Sequence, residues 1–160
     1  MSDASSQAPV VTADQLLKQW QGHRALTRRV IDAFPEKDLL NYSIGGMRTM
    51  YDYAMECIGM AAPTLVGITT GNWPQDKADK PATKSDLLAK WDETTSEINR
   101  LWPQIRPERW QEVDTAFGQW KMPVYALILY LIDNEVHHRG QGYVYLRSLG
   151  IDPPAFYERD

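Results

Sequence analysis

Cysteine is almost missing from this chain. Cys57 stands alone among 160 residues, so neither an internal disulfide nor a thiolate zinc site can form. No run of about 18 apolar residues occurs, which excludes an ordinary membrane span. A basic surplus is missing too: 17 Lys and Arg face 21 Asp and Glu, a formal net charge of −4. Nucleic-acid binding therefore has no electrostatic footing. The opening MSDASSQAPV is acidic and small rather than basic then apolar, so no secretory signal is expected and the default address is the cytoplasm. There is no internal repeat, low-complexity tract or second-domain boundary. What remains is 43% hydrophobic and 24% charged, a balance that argues against wholesale disorder and suits one domain with a real core.

Residues 1–11 are rich in Ser, Ala and Pro and are expected to fray, leaving a domain over 12–160. Thr12 to Gln15 reads as a capping box, followed by apolar residues Leu16, Trp20, Ala25, Val30, Ile31 and Phe34 at helical spacing. Pro35 ends this first helix. Its polar face carries His23, Arg24, Arg28 and Arg29, read most simply as solvated. A glycine-containing loop over 41–46 precedes a second helix from near Arg48 to about Thr69, closed by Gly71. Pro63 within it predicts a kink rather than a stop, because Leu65, Val66 and Ile68 continue the pattern. Residues 72–82 read as loop.

A second capping box, Thr83 to Asp86, opens a third helix with Leu87, Leu88, Trp91, Ile98 and Leu101 as its buried stripe. Pro103 halts it. Residues 104–122 lack helical periodicity, and Val113, Thr115, Phe117 and Trp120 around Gly118 suggest a short extended segment. Pro123 suits the first turn of a fourth helix that ends at Gly150 before Pro153-Pro154. Four long amphipathic segments predict an all-α four-helix bundle, and the unequal loops allow one or more crossover connections.

Chemistry concentrates on the fourth helix. Leu127, Leu131, Asn134, His138, Gln141 and Tyr145 share a stripe that starts apolar and ends polar. Groups on such a stripe must be satisfied by hydrogen bonds, water or a metal. His137 points about 100° away from His138, so the two cannot serve one site equally. On the second helix Glu56 lies among Tyr53, Cys57 and Met60, where an unpaired carboxylate would be costly to bury. His138 facing it would meet that demand, either as a satisfied core histidine or as a ligand. Asn134 reads as a hydrogen-bonding core residue or a ligand, and Glu56 as an ion pair or a ligand. Asp133, His137 and Arg139 read as surface, Cys57 as a small buried hydrophobe, and Gln141 and Arg147 as packing and capping residues. Glu135 and His138 have the Glu-x-x-His spacing of di-iron bundles, but such sites need a second copy of the motif. The chain has six tryptophans, mostly core, with Trp73 and Trp120 in loops that would line a pocket mouth or an interface.

The segment VHHRGQGYVYLRSLGIDPP (136–154) resembles the DinB superfamily of four-helix bundles, through His137 to Gln141, Arg147, Gly150 and Pro153-Pro154. RTMYDYAMECIGMAAPTLVGITTGNW (48–73) is similar to the second helix of that family, in which a histidine follows the arginine by eight residues. The resemblance implies a divalent-metal site held by three histidines. Carried over by position, its ligands become Glu56, Asn134 and His138. Two of three imidazoles are thus replaced, which disfavours zinc or nickel and tolerates a harder ion such as Mn or Mg better. The resemblance further implies a metal-dependent enzyme, a transferase using a low-molecular-weight thiol or a hydrolase, acting on a small electrophile, with Tyr53 or Tyr145 as proton donor. The alternative is a non-catalytic, stress-responsive binding or scaffold bundle with a degenerate metal site. Relatives commonly pair, so a homodimer is expected, with neither nucleic acid nor membrane as partner.

Overall fold

The computed structural model describes residues 8–75 and 79–159. Residues 1–7 of the expected frayed segment, and 76–78 of the expected loop, lie outside the described residues. Helix α1 spans Ala13–Ala33, α2 Glu36–Asn41, α3 Met50–Thr70, α4 Lys84–Leu101 and α5 Val124–Ser148; between the last two, strands β1 (Val113–Ala116) and β2 (Trp120–Pro123) form an antiparallel hairpin. Helices α1 and α3 each pack against both α4 and α5. The successive long helices α1 and α3 therefore sit across one diagonal and α4 and α5 across the other. The fold is the expected helical bundle, and its two diagonal steps are the crossovers.

Local signals explain most boundaries. Thr12 and Gln15 form the expected capping box, with Gln15 N–H donating to Thr12 Oγ1 at 3.2 Å and Thr12 N–H to Gln15 Oε1 at 2.9 Å. A second full box, Thr49 with Asp52, opens α3 and was not foreseen. The expected box at Thr83 is half formed: Asp86 N–H donates to the Thr83 hydroxyl, which in turn donates to the Asp86 carboxylate. Pro63 lies inside α3 without ending it, and Gly71 closes the helix at φ 78°. Pro123 sits one residue before α5, as its cap. Helix α2, with six residues, is too short to leave a periodic trace.

The core has two apolar clusters. One gathers Trp20, Leu65, Ile98 and Ile128; the other Val30, Met50, Trp91 and Tyr145. Between them lies a charged layer, and here the sequence reading needs correction. Arg24 is 1% exposed and His23 and Arg139 are also buried, although all three were expected at the surface; of the α1 group Arg28, paired with Asp92, and Arg29 stay partly exposed. The cause is Glu135, buried on α5. Its carboxylate accepts from Trp20 Nε1 at 3.2 Å and Thr27 Oγ1 at 2.7 Å, and Arg24 Nη1 stands 3.7 Å away. Arg24 also donates to Thr95 and to the Trp91 carbonyl, while Arg139 donates to the His23 carbonyl and Thr27 Oγ1. A helical wheel places these residues correctly and cannot say that a carboxylate waits opposite.

His23 is neutral in this layer. A guanidinium can only donate, so His23 Nδ1 accepts from Arg139 Nη2 at 3.0 Å. Burial first, then the Arg139 and Arg159 cations, push its pKa down from 6.5 to about 4. A depressed pKa means that the unfolded chain takes up this proton before the native one does. The His23 contribution to stability is thus complete above pH 6.5 and lost progressively down to about pH 4. Thermal melts across that window should show a falling Tm, and His23→Gln, which keeps an acceptor, should flatten the slope. A slope unchanged in the variant would remove His23 as its source.

Candidate functional site

The polar cluster expected between the second and fourth long helices is present. It stands on the stripe of α5 next to Glu135, about 60–100° around the helix from it. His138 Nε2 lies 3.1 Å from Glu56 Oε1, and Asn134 Nδ2 donates to the same oxygen at 3.2 Å. The other oxygen, Oε2, is held by Arg48 Nη1 at 2.5 Å. Burial raises the Glu56 pKa, but the bonds from His138, Arg48 and Asn134 outweigh it and hold the carboxyl below its usual 4.5. Glu56 is therefore an ionised acceptor. Its partners must bring the protons, which fixes the Asn134 amide with its NH2 toward Glu56 and a proton on His138 Nε2.

Each side chain has a structural reason for its place. Glu56 and His138 project from facing turns of α3 and α5. Tyr53 stacks its ring on the His138 imidazole, with centroids 4.3 Å apart and planes at 11°. Gln141 Oε1 lies 2.8 Å from His138 Nδ1, so this residue orients the imidazole rather than capping the helix. Arg48 precedes the α3 cap, lays its guanidinium 4.9 Å over the Tyr53 ring and so reaches Glu56. The sequence reading assigned Arg48 no role. The signal was weak, because a side chain that lies outside the helix follows no helical spacing.

Tyr53 and Tyr145 are both buried, and their hydroxyls stand 3.5 Å apart. Tyr145 donates to the Arg48 carbonyl at 2.9 Å, and burial, then the Tyr53 contact, raise its pKa. The Cys57 thiol is raised as well, by burial and then by Glu135, in keeping with a small buried hydrophobe. Asp133 and His137 are exposed as expected, and Arg147 lies over the Tyr143 ring. Trp73 packs its ring on Gly67, where a Cβ would sit inside the ring, and meets Phe117 edge-on. Trp120 is on β2 rather than in a loop and lines the mouth of a cavity of about 460 Å³ between α3, α5 and the hairpin.

These donors do not fit a divalent cation as they stand. Both Glu56 oxygens are engaged by N–H groups, Asn134 presents hydrogens rather than its carbonyl, and the His138 Nε2 lone pair is taken up by a proton. Among the described residues no group of three or more His, Cys, Asp or Glu side chains is arranged to hold a metal. The guanidinium of Arg48 supplies the positive charge that the carboxylate requires. Among the described residues no helix is long and apolar enough to cross a membrane.

Comparison with known proteins agrees with the architecture. The model of the DinB family matches residues 1–160. The uncharacterized protein YrdA of Bacillus subtilis is 24% identical over 153 residues, covering 91% of this chain and 88% of that protein. The uncharacterized protein YjoA of the same organism is 30% identical over 86 residues, 53% of this chain and 55% of that one. The crystal structure of YjoA, described as DinB-like, superposes with a TM-score of 0.75 at 19% identity, covering 91% of this chain and 99% of that chain. A DinB-like protein from Bacillus cereus superposes with a TM-score of 0.73 at 18% identity, over 90% and 97% respectively. With its whole length matched by the family model and its bundle shared with these structures, the chain belongs to the DinB family.

Proposed function

We propose that this protein is a non-catalytic, small-molecule-binding member of its family that works without a bound divalent metal. The observation that carries the reading is the saturation of Glu56: Arg48 on one oxygen, His138 and Asn134 on the other. A cation entering here must displace a guanidinium, rotate an amide and expel a proton, and it gains one carboxylate, one imidazole and one neutral oxygen. That is a poor return for zinc or nickel. In this reading Tyr53 and Gln141 position the imidazole and do not transfer protons.

Elemental analysis of protein purified without chelator tests it. Native protein and His138→Ala should both carry far less than one metal per chain, and EDTA should leave Tm unchanged. Asn134→His restores an imidazole one turn before His138, on the same face, and should create zinc binding that chelation reverses. Stoichiometric metal in the native protein, lost in His138→Ala and worth several degrees of Tm, would overturn the reading. That result would favour the metal-dependent transferase or hydrolase, because Arg48 is half exposed and free to swing aside.

A further inference from the structure

The cavity of about 460 Å³ begins one helical turn beyond the polar cluster: Met60 lines it, and the Asn134 amide touches the Met60 sulfur at 3.8 Å. Met60 and Leu131 stand on its α3 and α5 walls beside the rings of Phe117, Trp120 and Tyr130, with the uncharged polar side chains of Thr64, Gln75 and Gln119 also in the lining. No Asp, Glu, Lys, Arg or His lines it among the described residues. A charged ligand would lose its hydration there without gaining a counter-charge. Trp120 and Tyr130 are about half exposed, so two large rings stand open beside an apolar hollow.

The hairpin tip supplies a second, independent observation. Phe117 and Gly118 are the central residues of the turn closed by Gln119 N–H donating to the Ala116 carbonyl at 3.0 Å, and both have positive φ, 53° and 71°. Asn-Gly is the favoured pair for such a turn, and a bulky aromatic residue is strained there. Among the described residues Phe117 is the only non-glycine with positive φ. Its ring lines the cavity and meets Trp73 and Trp120 edge-on. Strain kept at a cavity wall, where a better turn residue is available, marks the ring as wanted for what it touches.

We propose that this cavity binds a small, neutral, planar aromatic molecule, inserted between the α3–α5 wall and the Phe117–Trp120 hairpin. The volume falls in the usual range for small-ligand sites, and open aromatic edges and faces favour a flat partner. The proposal deepens the binding reading above and rests on it, but it has a separate readout.

Titration with N-phenyl-1-naphthylamine, a neutral dye that brightens on leaving water, tests it. One saturable site per chain is expected, with a Tm that rises with dye concentration. The similarly sized anion 1-anilinonaphthalene-8-sulfonate should bind at least about tenfold more weakly, for want of a counter-charge. Gly59 also lines the cavity, and a Cβ added there meets nothing within 4 Å. Gly59→Leu should therefore fold, gain helix propensity and weaken dye binding by about tenfold or more. Phe117→Asn relaxes the turn, so it should melt no lower than the native protein while losing about tenfold in affinity. The proposal is overturned by the absence of saturable binding, by equal affinity for the sulfonate, or by native affinity in both variants. Metal found in the purified protein would sink the metal-free reading and leave the dye result standing; a missing dye signal does the reverse.

Discussion

Glu135→Ala is expected to cost about 3–5 kcal/mol of stability, the range seen when one member of a buried charge group is removed. For a chain of this size that is a drop in Tm of roughly 6–20 °C. The reason is what the substitution strands. Arg24 is 1% exposed and Arg139 6%, and Glu135 is the buried carboxylate of their layer. Burial already pushes both guanidinium pKa values down, and the Glu135 charge is the largest opposing influence on each. Without it two cations remain in the core, the Trp20 N–H loses its acceptor, and the Thr27 hydroxyl is left with the His23 carbonyl alone. Glu56→Ala provides the contrast. Its carboxylate and its Arg48 partner are 28% and 52% exposed, so water replaces that bond, and only the His138 donor, 8% exposed, is left short; the cost should stay at about 1–2 kcal/mol. Urea unfolding of the two variants measures the difference. Equal losses would mean that the charged layer is hydrated in solution and contributes no more than the rim.

The contrast between these two glutamates also shows how far the sequence could be read. Glu56 and His138 were paired in advance because each interrupts an apolar stripe, and two such interruptions on facing helices have one economical solution. Glu135 shows in the sequence only as part of a Glu-x-x-His spacing, and Arg24 and Arg139 read as surface residues, because a lone polar residue on a helical wheel looks solvated whenever its partner is remote in sequence. Glu135 lies 115 residues from Trp20 and 108 from Thr27. Arg48 escaped for another reason: it acts from outside the helix, draped over Tyr53. Caps, prolines and glycines are local signals, and they placed the ends of the long helices within about two residues. The hairpin was foreseen only as extended chain. Its strained tip is a feature that no propensity would suggest, since the favoured residue there is not the one present.

The layer further predicts a coupling between Glu135 and Trp91. Trp91 is 1% exposed, its ring lies 3.8 Å from the Arg24 guanidinium, its indole N–H donates to the Arg24 carbonyl at 3.2 Å, and its own carbonyl accepts from Arg24 Nη2 at 2.9 Å. Trp91→Ala removes the ring and its N–H bond and should by itself cost about 3–5 kcal/mol, from lost burial and the cavity left behind. Each single variant harms the other partner of Arg24 little but leaves the guanidinium buried with half of its support. In the double variant the emptied space admits water to a cation that no longer has a counter-charge, so the second loss is smaller than the first. The double-mutant cycle should then fall short of additivity by about 0.5–3 kcal/mol. The Arg24 Nη1 group, which has no hydrogen-bond partner and faces Glu135 at 3.7 Å, is the shared element that makes the two losses overlap. Strict additivity would show that Trp91 and Glu135 stabilise the bundle independently. Arg24 would then be held by its bonds to Thr95 and the α4 backbone, with neither the ring nor the carboxylate deciding its place.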